Sequence, residues 1–377
     1  MSAFKIASIR GIAIEVHWSW LLIFGLLSWT LSDSYYPSQY EDWSEVTYWV
    51  VGTLSALLLF ATVLVHELAH ALVAVRRGLP VPKITLFIFG GVSHLGRQPS
   101  SAGEEFKIAA AGPATSLVLA LLTGACAFVA VDRQVQAEAV FTYLAVVNTM
   151  LALFNILPGF PLDGGRVLRS IAWRKTRSFR RATRFAASTG QAVGFAMMAG
   201  GAALLLVGGG FQGIWLMLIG WFLVGAARGE AESLQIETIL GRLTARDVMR
   251  EEWPTVSPGE PIAALVDDYM IGQGERAVVV AIGGAVQGIV TVNDVRRVPR
   301  EEWATTPAQR VMTPRERIQT VGPEVPAVQV MLVMAQAGLN QVPVIDGGRM
   351  VGMVSRRELI DRVHLAESLA PDESTDA

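Results

Sequence analysis

The chain has 377 residues, of which 52% are hydrophobic and only 17% are charged, and its net charge is −2. Soluble domains carry about 25% charged residues, so this composition excludes a single soluble core. The near-neutral charge argues against general nucleic-acid binding, and the one cysteine, Cys126, excludes a disulfide framework or a cysteine zinc site. Uncharged apolar runs fill residues 11–228, whereas residues 240–365 alternate apolar and charged segments, which predicts a membrane domain followed by a soluble one.

Six transmembrane helices are predicted within a membrane domain of residues 1–230, because each apolar run can supply the roughly 20 residues that a bilayer core requires. The predicted helices cover residues 13–32, 46–75, 105–131, 138–171, 187–208 and 211–227. Pro158 and Pro161 interrupt the fourth helix. The expected fold class is a polytopic α-helical membrane domain followed by a soluble α/β module.

Residues 79–95 do not fit a transmembrane helix. Two prolines precede an Ile-Thr-Leu-Phe-Ile-Phe run, which ends near Gly90 and Gly91, and this punctuation is typical of β structure. The segment is too short to span a bilayer. We therefore predict a re-entrant β-strand or hairpin that protein shields from lipid.

The distribution of basic residues predicts the orientation of the chain. Lysine and arginine are absent from residues 11–75, and the connection near residues 33–45 is acidic. Arg76 and Arg77 close the second helix, and seven basic residues follow within residues 169–184. Because basic loops stay in the cytoplasm, the N-terminus and the soluble domain are both predicted to be cytoplasmic, in a multi-pass protein of a bacterial-type plasma membrane.

The second helix contains His66-Glu67-Leu68-Ala69-His70. Residues four apart lie on one helix face, so both imidazoles can meet one metal ion, and Glu67 can act as general base on a water that zinc activates. Ionisable residues within an apolar span are costly unless function or pairing retains them. The alternative is a pair of structural histidines at the membrane interface.

A catalytic zinc site needs a third protein ligand. Asp163 is the one carboxylate between Glu138 and Glu230, and prolines and glycines break the helix around it. Asp163 is three residues from Arg166, and His70 is six residues from Arg76. Because arginines lie at the cytoplasmic edge of the membrane, Asp163 and the histidines are predicted to lie at a similar depth below that edge. The alternative role for Asp163 is a partner for Arg166 or Arg169.

The histidine motif and the later segment from Asn155 to Gly164 together resemble the site-2 protease family of intramembrane zinc metalloproteases. The resemblance covers residues 11–228. It implies that His66, His70 and Asp163 bind one zinc ion per chain and that Glu67 activates water. It also implies that Asn155 positions the scissile carbonyl or its oxyanion; a helix–helix hydrogen bond is the alternative.

A transmembrane substrate must unwind before its peptide bonds can be hydrolysed. An exposed strand edge near residues 84–89 could hold the unwound segment by β-strand addition. His17 and His94 are the further histidines of the membrane domain, and we expect structural or interfacial roles for both.

Residues 241–365 contain two similar halves, 241–300 and 305–365, which indicates a tandem repeat. The halves resemble a pair of CBS domains, which implies dimerisation and binding of ATP, AMP or another adenosyl ligand. The resemblance assigns ligand contacts to four residues: Thr291, Asp294, Ser355 and Arg356. A ligand-free scaffold for dimerisation is the alternative. Residues 366–377 are predicted to be a disordered acidic tail.

The leading hypothesis is an intramembrane zinc endopeptidase that cleaves transmembrane segments of membrane proteins near the cytoplasmic face of the lipid bilayer. The resemblance suggests a regulator such as an anti-sigma factor as substrate, and modulation by a nucleotide at the CBS pair. Two alternatives stay open. One is a CBS-regulated channel or transporter, whose ion path the intramembrane His, Glu and Asp would line. The other is a catalytically inactive, membrane-anchored nucleotide sensor.

Overall fold

The computed structural model describes residues 3–88, 90–94, 96–131, 134–208 and 210–369. The chain divides into two compact units, Met1–Glu232 and Ser233–Ala377. The first unit is mainly helical, with one small sheet. Its elements are β1 (Ala3–Ile9), β2 (Ile12–His17), α1 (Ser19–Thr30), α2 (Tyr36–Gln39), α3 (Glu45–Arg76), β3 (Lys83–Phe87), β4 (Gly90–His94), α4 (Ala102–Ala130), α5 (Val135–Ile156), α6 (Asp163–Thr176), α7 (Phe179–Leu206) and α8 (Gly210–Leu240), of which residues 233–240 fall in the second unit.

Among the described residues, five helices are long and apolar enough to cross a membrane: α3, α4, α5, α7 and α8. The predicted count of six is not confirmed. The predicted first span, residues 13–32, starts within strand β2, and the α-helix that follows has only 12 residues. A π-helical segment, Leu31–Tyr35, continues this helix into α2. The predicted fourth span is two helices, α5 and α6, separated at the proline-rich interruption.

The first span begins as a strand because its sequence alternates. Ile12 and Ile14 are each 1% exposed, while the residues between and after them are more open, which is the two-residue period of a half-buried strand. Strand β2 pairs antiparallel with β1 and parallel with β3. A continuous apolar run does not by itself distinguish a strand from a helix.

The segment predicted as β structure forms β3 and β4, which pair antiparallel with Thr85 opposite Val92. The sheet has the order β1-β2-β3-β4, so it includes two N-terminal strands that the sequence analysis did not predict. Strand β3 has a neighbour on each side, whereas β4 forms an edge of the sheet and contacts α3. The predicted free edge at residues 84–89 is therefore wrong, and the edge strand next to α3 is β4.

Serine caps define where several of the long helices begin. The hydroxyls of Ser44, Ser101 and Ser178 accept backbone N–H bonds at the N-termini of α3, α4 and α7. Such bonds satisfy amides that have no partner within the helix. Helix α6 starts directly at Asp163, after the loop that contains the two prolines.

The second unit is an α/β module. Its elements are α9 (Ala245–Val248), β5 (Thr255–Val256), α10 (Ile262–Ala264), β6 (Ala277–Ile282), β7 (Ala285–Thr291), α11 (Val292–Val295), α12 (Ala308–Val311), β8 (Thr313–Pro314), α13 (Ala327–Ala337), β9 (Gln341–Asp346), β10 (Arg349–Ser355) and α14 (Arg356–Ser368). The repeat recognised in the sequence corresponds to two antiparallel hairpins, β6–β7 and β9–β10, each followed by a helix.

The two halves exchange contacts reciprocally. Met312, near the start of the second half, lies against Gly288 of the first hairpin, and Met249, near the start of the first half, lies against Gly352 of the second. Arg250 also pairs with Met353 through backbone hydrogen bonds. Val248-Met249 and Val311-Met312 recur in the two halves of the sequence, as Gly288 and Gly352 do. This recurrence reflects one packing arrangement used twice.

The predicted disordered tail, 366–377, begins inside an element of the structure. Helix α14 extends to Ser368. Residues 370–377 lie outside the described part of the chain.

Candidate metal centre and ligand clefts

Helices α3 and α6 bring three predicted ligands together. The Nε2 atoms of His66 and His70 lie 3.2 Å apart, and Oδ2 of Asp163 lies 3.1 Å from the first and 3.0 Å from the second. Both histidines are buried, and Asp163 is partly buried. Within the described residues, these three form a group able to hold a metal ion, with one ligand atom from each within 4.8 Å of the others.

In each histidine ring, the hydrogen bond at Nδ1 determines that Nε2 faces the candidate metal site. Nδ1 of His70 lies 2.7 Å from the carbonyl oxygen of Ile108, so it must carry the proton that it donates. In the neutral ring, Nε2 then presents a lone pair towards Asp163. Nδ1 of His66 lies 2.8 Å from the Ser116 hydroxyl, which can hold the same tautomer.

This donor set fits a zinc ion. Two imidazole nitrogens and one carboxylate oxygen converge with their lone pairs facing each other, and such an arrangement favours a cation between them. Helix α4 leaves room for it at Gly112. A Cβ at that position would lie 2.1 Å from Nε2 of His70 and 2.5 Å from Nε2 of His66.

Glu67 lies beside the histidines and faces strand β4. The Ser93 hydroxyl donates to Oε2 of Glu67 over 2.8 Å. Gly91 lies on the same face of β4, and a Cβ there would come within 2.4 Å of the Glu67 Cγ. The strand therefore encloses the glutamate side chain next to the candidate metal ligands.

Asn155 lies in the last turn of α5, just before the loop that leads to Asp163. Its amide nitrogen donates to the carbonyl oxygen of Leu151, one turn earlier in the same helix, over 3.0 Å. This is a local helix contact and not the helix–helix hydrogen bond considered as an alternative. The second N–H of the amide and its Oδ1 take no part in this bond.

Arg169 is a residue whose position the sequence analysis did not anticipate. It does not pair with Asp163. Its guanidinium donates from Nε to Oε1 of the fully buried Glu105 over 2.6 Å, and it lies 3.3 Å from Oε1 of Glu230. The rings of Phe160 and Phe179 flank it at 4.8 and 4.7 Å.

Arg169 thus joins α6, which begins at Asp163, to α4, which carries Ile108, Gly112 and Ser116. The sequence signal was weak, because Glu105 is one of three charged residues, with Glu104 and Lys107, at the start of an otherwise apolar helix. An isolated buried charge is costly, so such a residue requires a partner.

The remaining histidines differ in their surroundings. Nδ1 of His17 lies 2.8 Å from the Ser19 hydroxyl at the start of α1, and His17 is not part of the metal group found among the described residues. His94 ends β4, and its side chain lies outside the described part of the structure.

The four predicted nucleotide residues fall into two clefts of the second unit. Thr291 lines a cleft of about 230 Å³, and Ser355 and Arg356 line another of about 620 Å³. Asp294 is not among the lining residues described for either cleft. Its carboxylate instead accepts bonds from the backbone and hydroxyl of Thr291, 2.9 and 2.6 Å away, as the capping box of α11.

The two clefts differ in charge. Among the described residues, the smaller cleft is lined by three arginines, Arg276, Arg296 and Arg317, and by no carboxylate. The larger cleft contains arginines together with acidic residues, and some of these are paired, as Arg250 is with Glu275 over 2.8 Å. The smaller cleft is therefore the more cationic of the two.

Comparisons with known proteins place both units in families. Residues 54–136 and 129–200 match the model of peptidase family M50, and residues 245–301 and 308–365 each match the CBS domain model. The predicted resemblances to the site-2 protease family and to a CBS pair are both confirmed.

The chain is similar over nearly its full length to proteins named as zinc metalloproteases. It is 35% identical over 373 residues to zinc metalloprotease Rip3 of Mycobacterium tuberculosis, which covers 97% of this chain and 94% of the relative. It is 34% identical over 362 residues to zinc metalloprotease sll0528 of Synechocystis, with 94% of each chain covered.

A site-2 protease from Methanocaldococcus jannaschii is similar among solved structures, with 26% identity and a TM-score of 0.42, over 61% of this chain and 95% of that one. The sequence relatives and the two family matches together account for both units. The chain therefore belongs to peptidase family M50, the site-2 protease zinc metalloproteases, as a multi-pass membrane member that carries a tandem pair of CBS domains.

Proposed function

We propose that this chain is an intramembrane zinc endopeptidase that cleaves transmembrane segments of membrane proteins near the cytoplasmic face. The observation that carries the proposal is the convergence of His66, His70 and Asp163 within a unit of apolar helices. In this proposal the three residues hold one zinc ion per chain, and the ring contacts to Ile108 and Ser116 orient the imidazoles.

Zinc, when bound, supplies Lewis acidity, which polarises a carbonyl oxygen and makes water more acidic. Glu67 takes the proton from the attacking water as general base and delivers it to the leaving amine. The Ser93 hydroxyl supports this role by donating to the Glu67 carboxylate. Asn155, at the end of α5, donates its second side-chain N–H to the scissile carbonyl or its oxyanion.

The free edge of β4 is the docking strand for the unwound substrate in this proposal. A transmembrane helix hides its peptide groups in internal hydrogen bonds, and an edge strand offers replacement partners. Strand β4 contacts α3 and lies over Glu67 through Gly91 and Ser93. An extended segment added to β4 would therefore run close to the catalytic group. In this proposal the small sheet is the re-entrant segment that the sequence predicts.

The positions of charged residues support a cytoplasmic N-terminus and cytoplasmic CBS domains. Helices α1 and α2 and the π-helical segment between them cover residues 19–39, about 32 Å of helix at 1.5 Å per residue. We include this segment as a sixth membrane crossing. With six crossings, Glu41, Asp42 and Glu45 lie outside, and Arg76 and Arg77 lie in the cytoplasm of a bacterial cell.

The regulatory part of the proposal assigns ATP, AMP or a related adenosyl ligand to the CBS pair. The smaller cleft, with Thr291 and its arginines, has the charge that phosphate groups require. Ser355 and Arg356 form the corresponding part of the larger cleft. In this proposal, ligand binding in these clefts modulates cleavage. The CBS pair also mediates homodimerisation. The substrate is a membrane-held regulator such as an anti-sigma factor.

The test compares the wild-type chain with Glu67→Gln in cells, with in vivo crosslinking of bound membrane proteins. We expect the variant to retain zinc, to lose cleavage, and to accumulate crosslinked full-length substrates. Glu41→Gln, a change in the exposed connection before α3, is the matched control and should behave as wild type. Equal processing by wild type and Glu67→Gln would refute the proposal.

A further inference from the structure

We infer that Ser93 is a positioning residue that holds the Glu67 carboxylate in its working orientation. The inference rests on the proposed function, because it assigns Ser93 a role in the reaction that Glu67 serves. Ser93 lies on strand β4, 26 residues from Glu67, and belongs to neither of the two motifs that the sequence analysis singled out.

The hydrogen-bond chemistry at this contact has one direction. A carboxylate and a carbonyl oxygen accept only, so the Ser93 hydroxyl is the donor to Oε2 of Glu67 at 2.8 Å. The same hydroxyl lies 3.3 Å from the backbone carbonyl oxygen of Glu67. One hydroxyl therefore links the strand both to the reactive carboxylate and to the helix backbone that carries it.

The contact removes freedom that a glutamate side chain otherwise has. Glutamate has three rotatable bonds, and an unrestrained carboxylate would spend much of its time away from the proton that it must accept. Hydrogen bonds to ionised groups are the stronger ones, and a donor on one oxygen fixes the rotation of the whole group.

Strand geometry makes this restraint specific to Ser93. Residues two apart in a strand face the same side, so Gly91 and Ser93 both face α3, and Val92 between them is 43% exposed. Gly91 supplies the space for the Glu67 Cγ, and Ser93 supplies the donor. The two positions act as one cradle for this side chain.

Thr85 shows that a hydroxyl in this sheet does not automatically acquire a partner. It lies on the neighbouring strand opposite Val92, and its buried Oγ1 has no hydrogen-bond partner among the described residues. Thr85→Val therefore removes a hydroxyl from the same sheet at nearly constant volume, without touching Glu67. It is the matched control for Ser93→Ala.

The experiment measures steady-state cleavage of a transmembrane substrate by the purified, zinc-loaded full chain. Loss of one hydrogen bond to the carboxylate is expected to lower kcat about tenfold in Ser93→Ala and to change KM less than about twofold. Ser93→Thr, which keeps the hydroxyl, should recover most of the activity. Thr85→Val should match wild type, and zinc per chain, measured by mass spectrometry, should stay the same in all variants.

A double variant separates positioning from general damage. Glu67→Asp shortens the side chain by one methylene and takes the carboxylate out of reach of Ser93. Adding Ser93→Ala to Glu67→Asp should then cause less than about a twofold further loss, because coupled residues are not additive. Equal losses in both backgrounds, or full activity of Ser93→Ala, would overturn the inference.

The proposed function and this inference fail in different ways. If wild type and Glu67→Gln do not differ in cleavage, the peptidase proposal fails. If they differ and Ser93→Ala behaves as wild type, the peptidase proposal stands and the role of Ser93 is refuted. Failure of Ser93→Thr to recover activity, with zinc retained, would likewise refute the role of the hydroxyl.

Discussion

Gly112 sets how closely helix α4 approaches the two imidazoles. A methyl group at this position would overlap Nε2 of His70, at 2.1 Å, so Gly112→Ala must displace a ring or the helix. We expect zinc content to fall at least about tenfold, because ligand geometry governs the affinity of such sites. Zinc per purified chain is the measurement.

Gly124→Ala is the control for this change. It lies on the same helix, and its added Cβ would meet the Ala145 Cβ at 3.8 Å, an ordinary contact. Its zinc content should equal that of wild type. Full zinc occupancy in Gly112→Ala would show that the residues around the ion do not have the arrangement described above.

At the scale of single residues, periodicity predicted part of the site. Four-residue spacing predicts a shared helix face for His66 and His70, and their Nε2 atoms indeed lie 3.2 Å apart. Ser93 and Ser116 had no comparable signal. Ser93 contacts Glu67, 26 residues away in the sequence, and Ser116 contacts His66, 50 residues away. Serine is too common for its position in a sequence to indicate such a contact.

At the scale of elements, the buried ion pair between Arg169 and Glu105 joins α6 to α4. Removing one partner leaves the other charged and buried, which typically costs about 3–5 kcal/mol. Arg169→Met should therefore lower the thermal unfolding temperature of the protein in detergent. The double variant Arg169→Met/Glu105→Leu should recover much of the loss, since it removes both charges.

Arg174→Met on the same helix tests whether charge loss alone has this effect. Arg174 is exposed, and exposed charges contribute little to stability. We expect its unfolding temperature to match that of wild type. If Arg169→Met also left the unfolding temperature unchanged, the ion pair with Glu105 would not stabilise the packing of α6 against α4 in detergent.

The edge strand makes a prediction about substrate conformation. With Cys126→Ala as background, Val92→Cys is expected to form disulfide crosslinks with cysteines placed along a trapped substrate segment. An extended segment presents alternate residues to one face, so crosslinking should recur at every second position. Ile84→Cys on the interior strand β3, which is fully buried, is the control and should not crosslink.

A three- to four-residue recurrence of crosslinking would instead indicate that the substrate stays helical, and it would refute the docking role of β4.

The wrong prediction of a free strand edge at residues 84–89 has a clear origin. The sequence indicated a strand, but strand order in a sheet depends on pairing with β2, which lies about 70 residues earlier in the chain and was assigned to a helix.

At the scale of the whole molecule, a nucleotide effect would have to begin in the CBS pair. Arg317 lines the smaller, cationic cleft, so Arg317→Ala should weaken ATP binding to the full chain about tenfold, given the strength of bonds between charged groups. Isothermal titration calorimetry in detergent measures the affinity. AMP, titrated in parallel, reports how much of the affinity depends on the added phosphates.

Arg242→Ala, at an exposed position outside both clefts, is the control and should bind ATP as wild type does. Identical affinity in Arg317→Ala and wild type would exclude the smaller cleft as the ATP site. Absence of ATP and AMP binding at millimolar concentration would favour the ligand-free scaffold for the CBS pair.

The sequence alone determined the membrane class, the tandem repeat, the family and the chemistry of the proposed zinc ligands. These features depend on composition, on short periodic spacing and on motifs, all of which are local. The tertiary structure decided that the first apolar run begins as a strand, that β4 and not β3 is the edge beside Glu67, and that Arg169 pairs with Glu105. These features depend on which distant segments pack together, because strand order, ion pairing and burial are properties of the folded chain.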